Sequence, residues 1–156
     1  MSIGKLLRYE EGYSEVPYMC SENYPTIGIG TRIGPKDAPL GNYTFKVNFP
    51  IARAMLKYEM GRKEERLLKE FWYSRQNVDR KTIIMSMAYQ LGITGLYKFK
   101  KMIAALEVGK YLVASNEELD SKWAKQTPHR AVRHAKVLET GSLDSVKAYE
   151  GMLWHP

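Results

Sequence analysis

The stretch Glu11 to Gly30, EGYSEVPYMCSENYPTIGIG, decides the reading of this chain. Before it, Ile3, Leu6 and Leu7 are spaced as one face of an amphipathic helix. Gly12 is placed to end that helix, because glycine takes the left-handed conformation after a last helical turn with little strain. Glu11 therefore sits at a helix end, with its carboxyl on a rigid element. Within the stretch, VPYMC and YPTIGIG read as short strands joined by the polar turn Ser21, Glu22, Asn23, a hairpin that brings Cys20 and Thr26 close together. Period-two alternation puts Thr26, Gly28 and Gly30 on one face and Ile27 and Ile29 on the other. The threonine face is then almost bare of bulk, open to a water or a sugar ring.

Outward from the hairpin, Arg32 to Asn48 is rich in Gly, Pro, Asp and Asn and reads as loop with one more short strand. From Pro50 a helical pattern (Ile51, Met55, Tyr58, then Leu67, Leu68, Phe71) runs to about Glu70 through the charged GRKEER. A helix of that length spans roughly 30 Å. Its solvated middle around Gly61 marks it as a bridge between two lobes. Asn77 is a good N-cap for a helix from Val78 to Leu91, apolar nearly all round from Thr82 to Tyr89, which makes it the centre of the larger core. Helical pieces follow at Tyr97 to Leu106 and Lys110 to Ser115, separated by Gly109, then a segment through Leu119 to Trp123. Thr127 as cap and Pro128 at the first helical position start a last helix that carries Arg130 and Arg133 on one face. The end, GMLWHP, is expected to fray beyond Leu153.

A chain of 156 residues and 18.0 kDa is one domain, or two small lobes sharing a core, and is long enough to bury one. Hydrophobic content of 44% with 26% charge is that of a soluble globular protein. No apolar run is long enough to span a bilayer, and the chain enters an amphipathic helix directly, without a signal peptide. The expected location is the cytoplasm of the producing cell. One cysteine excludes an internal disulfide and suits a reducing compartment. A net charge of +7 favours polyanionic partners: nucleic acid, anionic membrane or bacterial wall. Charge alone does not choose among them. The glycines Gly28, Gly30 and Gly34 do not form a phosphate loop, because such a loop opens into a helix and Pro35 stands in the way.

Glu11, Cys20 and Thr26, with eight and five residues between them, match the Glu, Asp or Cys, Thr pattern of the phage-type lysozymes (glycoside hydrolase family 24). The chain most resembles the T-even phage branch of that family. LLRYEEG, TIGIG, Tyr89-Gln90-Leu91-Gly92 with Thr94-Gly95 and Phe99, Ser121-Lys122-Trp123, and Gln126-Thr127-Pro128-His129-Arg130 carry the likeness in order and spacing. The resemblance implies an α+β, mostly helical, two-lobed fold. Residues 13–49 would form the β-containing N-terminal lobe, 50–70 the connecting helix, and 1–12 with 71–156 the helical C-terminal lobe. It also implies hydrolysis of the β-1,4 bond between N-acetylmuramic acid and N-acetylglucosamine in peptidoglycan, by a monomer that needs no metal or cofactor.

A glycosidase needs one carboxylic acid that holds a proton near neutral pH and delivers it to the leaving oxygen. The resemblance gives that role to Glu11 and makes Arg130 its orienting partner. The positive charge of Arg130 favours the ionised form, so burial or bound sugar must offset it. Cys20 stands where the T-even branch has aspartate. Three roles are open to it: as thiolate it accepts a proton from the attacking water, it adds to the anomeric carbon, or it helps Thr26 hold the water. Direct attack by a water held by Thr26 and Cys20, with inversion, is the preferred route. An unperturbed cysteine is only a few per cent thiolate at pH 7, and the rule that reads stereochemistry from carboxylate separation assumes two carboxylates. Position 31 is Thr where the branch has a histidine in a structural ion pair. Gln90, Tyr89, Lys122 and Gln126 correspond to positions lining or beside the saccharide cleft, and Trp123 to a core residue supporting Arg130. His129, His134 and His155 form no zinc pattern. The rival readings are a wall-binding protein of the same fold without turnover and, more remotely, a nucleic-acid binder using Lys98, Lys100, Lys101 and the arginines of 130–136. The basic side chains follow no nucleic-acid-binding motif.

Overall fold

The computed structural model describes residues 3–149. The elements run α1 (Ile3–Glu11), β1 (Ser14–Met19), β2 (Pro25–Gly28), β3 (Thr31–Arg32), α2 (Phe49–Leu67), α3 (Phe71–Ser74), α4 (Val78–Leu96), α5 (Lys100–Glu107), α6 (Tyr111–Leu119), α7 (Lys122–Gln126) and α8 (Pro128–Thr140). This is the mostly helical α+β class expected. By packing, the chain divides within α2 into two compact units. One is Gly4–Gly61, and the other is the chain from Arg62 onward together with Ile3. The expected fraying beyond Leu153 and the terminal His155 lie outside the described residues.

In the first unit, α1 buries Leu6 and Leu7 and stops at Gly12, whose φ of +74° turns the chain into β1. Gly12 N–H donates to Arg8 O at 3.0 Å, which closes the last turn. The Arg8 guanidinium lies 4.4 Å over the Phe49 ring, and Tyr13 meets the same ring edge-on at 5.3 Å. Contacts of this kind place residues 4–12 in the first unit, whereas the sequence reading grouped them with the helical region. The sheet has the order β1-β2-β3, all antiparallel, with Tyr18 opposite Thr26 and Met19 opposite Pro25.

Two expectations about this unit are corrected. The alternation of open and apolar faces does not hold, because all four residues of β2 are buried and Thr26 is only 2% exposed. Positive φ at Gly28 (+65°) and Gly30 (+72°) breaks the pleat. The space freed by these glycines is filled from within the fold: a Cβ on Gly28 would meet Ala52 Cβ at 3.0 Å, and one on Gly30 would meet Glu11 at 3.2 Å. The apolar stripe of α2 is also displaced. Ala52 and Leu56 are buried, while Ile51 and Tyr58 point outward at 49% and 66% exposure. Only a small side chain fits at the closest approach of α2 to Gly28, so size rather than hydropathy selects the inward face.

The middle of α2 is solvated as expected, with no buried residue from 57 to 66. In the second unit α4 is the central helix, and Thr82 to Ala88 are all buried. Asn77 caps it through Oδ1, which accepts from Arg80 N–H at 3.0 Å. Its regular course ends at Gly92 (φ +72°), one residue past the expected end, and a short helical continuation follows. Thr127 occupies the N-cap position of α8 without capping it, because its hydroxyl donates instead to Trp123 O at 3.1 Å. At the other end of α8 the Arg80 guanidinium donates to Leu138 O (2.8 Å) and Glu139 O (3.2 Å) while lying 3.4 Å over the Tyr111 ring. The terminal carbonyls of α8 are thereby satisfied by a cation.

Candidate active site

Glu11, Cys20 and Thr26 all belong to the first unit, where local geometry fixes the position of each. Glu11 ends α1, and its side chain lies along the backbone of Gly30. The nearest atoms to a Cβ built there would be Glu11 Cβ, Cγ and Oε2, each at 3.2 Å. No residue with a side chain fits at position 30 without moving the carboxyl.

Cys20 lies one residue beyond β1 rather than within a strand, and is half-buried and unpaired with any other cysteine. The hairpin turn fixes its backbone: Cys20 N–H donates to Tyr24 O at 3.0 Å, and Asn23 N–H donates to Cys20 O at 2.9 Å, with Asn23 at φ +61°. Arg32 pairs with Glu22 at 2.7 Å and covers the Tyr24 ring at 4.1 Å, bracing the same turn. Given the pairing of Tyr18 with Thr26, Cys20 and Thr26 are diagonal neighbours on one side of the hairpin, a relation with Cα atoms about 7–8 Å apart. Thr26 Oγ1 donates to Tyr24 O at 2.8 Å. Its hydrogen is thus committed, and toward any further group the oxygen is an acceptor.

Tyr18 was missed in the sequence reading. It faces Thr26 across the hairpin, and its phenol is pushed above its ordinary acidity range first by burial, then by the charge of Glu11, then by that of Cys20. The signal was available: Tyr18 is two residues before Cys20, hence on the same side of its strand.

A family-level comparison matches residues 8–138 to phage lysozyme. The chain belongs to the phage lysozyme family. Membership makes it a lysozyme-type glycoside hydrolase. Among relatives of this lysozyme, a probable T4-type lysozyme 1 of Dictyostelium discoideum is 30% identical over 94% of this chain and 98% of its own length. A probable T4-type lysozyme 2 of the same organism is 28% identical over 94% and 98%. The pre-baseplate central spike protein Gp5 of Enterobacteria phage T4 is 28% identical over 93% of this chain but only 29% of its own length.

The remaining expected site residues of this lysozyme lie in the second unit. Arg130 is buried at 6% exposure, and its Nη2 donates to Ser86 Oγ (2.9 Å) and Ser86 O (3.3 Å). Gln90 Oε1 accepts from Trp123 Nε1 at 2.9 Å, so its carbonyl is engaged within the unit. Trp123 is a core residue, as expected, and its ring stands 5.7 Å from that of His134. Tyr89 is half-buried with Lys63 Nζ 5.4 Å above its ring, while Lys122 and Gln126 are exposed on α7. Among the described residues no group of three or more His, Cys, Asp or Glu is placed to hold a metal ion, and no helix is long and apolar enough to cross a membrane.

Proposed function

We propose that this lysozyme is a muramidase that hydrolyses the β-1,4 bond between N-acetylmuramic acid and N-acetylglucosamine in bacterial peptidoglycan. The observation that carries the reading is the Glu11 carboxyl laid against Gly30 in a chain of this family. Glu11 is the general acid, protonating the leaving oxygen once bound glycan has displaced water from around it. Thr26 holds the attacking water. Since its own hydrogen goes to Tyr24 O, Thr26 accepts a hydrogen from that water and leaves a water lone pair for the anomeric carbon. Cys20 lies beside this water at the turn and, as thiolate, takes up its proton. Direct attack by water gives inversion at the anomeric carbon. By the family pattern, Arg130 is assigned a supporting role, and Gln90, Tyr89, Lys122 and Gln126 are assigned to glycan binding. The basic surface aids approach to an anionic wall, and the protein acts there as a monomer after leaving the producing cell.

Release of reducing sugar from purified peptidoglycan, by the native chain and by Glu11→Gln, tests the reading once both are shown to fold. The expected result is activity in the first and none in the second. No hydrolysis by either would leave a wall-binding protein of the same fold and end the enzyme reading.

A further inference from the structure

Four side chains of the second unit meet in its core with no part in the chemistry above. Glu118 of α6 and His134 of α8 are each 0% exposed, and His134 Nδ1 stands 3.9 Å from Glu118 Oε1. That separation exceeds a direct hydrogen bond, and neither carboxyl oxygen nor Nδ1 has a hydrogen-bond partner. On the far side of the ring, Nε2 lies 3.4 Å from Ser86 Oγ on α4, the same oxygen that accepts from Arg130 Nη2 at 2.9 Å. Trp123 of α7 packs against the imidazole.

Electroneutrality fixes how many protons the pair carries. A lone carboxylate or a lone imidazolium in such a core is far more costly than a folded domain can bear. The pair is therefore neutral in sum, as glutamic acid facing imidazole or as carboxylate facing imidazolium, and each arrangement holds one titratable proton. Burial, and at His134 the neighbouring charges after it, favours the first. Burial raises the Glu118 carboxyl well above its ordinary range, while burial and then the charges of Arg130 and Arg133 hold His134 well below its own. Ser86 of α4 and Trp123 of α7 face the ring without charge, and Glu117, the acidic neighbour on α6, is turned toward Lys101 at 3.9 Å.

Donor chemistry sets the direction of the chain. A guanidinium only donates, so Ser86 accepts from Arg130 and has its own hydrogen to pass to Nε2, which leaves the ring hydrogen on Nδ1 facing Glu118. Well-packed apolar residues in place of a buried ionisable pair are often as stabilising or more so, so stability alone does not account for this one.

We propose that Glu118 keeps the pair's one titratable proton opposite a neutral His134, and that His134, through Ser86, fixes the Arg130 guanidinium, making His134 and Ser86 positioning residues for this lysozyme. The positioning half rests on the role given to Arg130 under the proposed function, whereas the proton kept on Glu118 does not.

Two measurements on the full chain test the proton independently of activity. Nitrogen NMR of the His134 ring between about pH 5 and pH 8 is expected to show no titration; a midpoint near 6.5, the ordinary histidine value, would overturn the proposal. The folding constants of Glu118→Gln and the native chain, compared across the same range, give the second. The unfolded native chain releases the Glu118 proton that the folded one keeps, so the variant-to-native ratio rises about tenfold per pH unit. A ratio independent of pH would mean Glu118 folds ionised. For positioning, Ser86→Ala is expected to lower kcat about tenfold with KM unchanged, and Ser86→Thr to restore part of it. Native kcat in Ser86→Ala would refute the positioning half. Absence of any hydrolysis by the native chain would remove that half too, while NMR and the folding ratio still decide the proton kept on Glu118.

Discussion

Gly30→Ala separates the two uses of a single glycine. Position 30 has φ +72°, where an L side chain costs about 1–2 kcal/mol, and the added methyl would stand 3.2 Å from three atoms of Glu11. The backbone term lowers stability, which for a chain of this size corresponds to a melting temperature lower by about 2–8 °C. The contact term displaces the carboxyl by a few tenths of an ångström. Since a displacement of about 1 Å can cost 100-fold in rate, kcat should fall about tenfold. Gly109→Ala is the matched control: φ there is +71° and nothing lies within 4 Å of the added carbon. It should lose similar stability and keep its kcat. Thermal unfolding and reducing-sugar release at saturating peptidoglycan give both quantities. Full kcat in a destabilised Gly30→Ala would refute the reasoning, because Glu11 would then tolerate displacement from the place the mechanism requires.

Other variants probe separate contacts. Gly28→Ala combines φ +65° with a 3.0 Å approach to Ala52 Cβ, so urea unfolding should show a loss of about 2–4 kcal/mol, more than at Gly30. Arg80→Met removes the donors to Leu138 O and Glu139 O and should destabilise by about 2–3 kcal/mol in the same assay. Cys20→Asp should retain hydrolysis, while Cys20→Ala should lower kcat about tenfold or more; full activity in the alanine variant would remove the thiol from the chemistry. Burial, with the Glu64 charge adding to it, pushes the Tyr73 phenol up to about 12 from its ordinary value of 10.0. A raised folded value means that stability is unaffected below the ordinary value and declines as pH climbs from there toward 12. Tyr73→Phe should flatten that decline in alkaline unfolding curves.

The class of fold was legible because its signals are local and repeated. Asn77 before an apolar run, Pro128 at a helix start, and Gly12, Gly92 and Gly109 at left-handed positions each mark a boundary by backbone sterics that no tertiary contact need supply. The four-residue α3 was missed, being too short for a period to register. Of the candidate site, the Glu11, Cys20 and Thr26 spacing was readable as a pattern, and the hairpin turn between the last two follows from Ser21 to Asn23. Tyr18 was passed over because its meaning depends on register, which one residue of slip would reverse.

What sequence periodicity misjudged shares one cause. Alternation along TIGIG assumes that a position lacking bulk is left open, and the α2 stripe assumes that the larger apolar residues turn inward. Both assumptions treat each element alone. In the folded unit the absence of a side chain at Gly28 is what admits Ala52, and its absence at Gly30 is what admits Glu11. The buried face of α2 is consequently the one with the smaller residue, leaving Ile51 half exposed. Close approach between a glycine and a small or catalytic side chain is a property of two segments distant in sequence, so hydropathy along either one carries no trace of it. The same reasoning explains Glu118 and His134, which look like ordinary polar positions on two helices. Only the packing of α6 against α8 shows that neither reaches water, and burial then sets the state of charge of both.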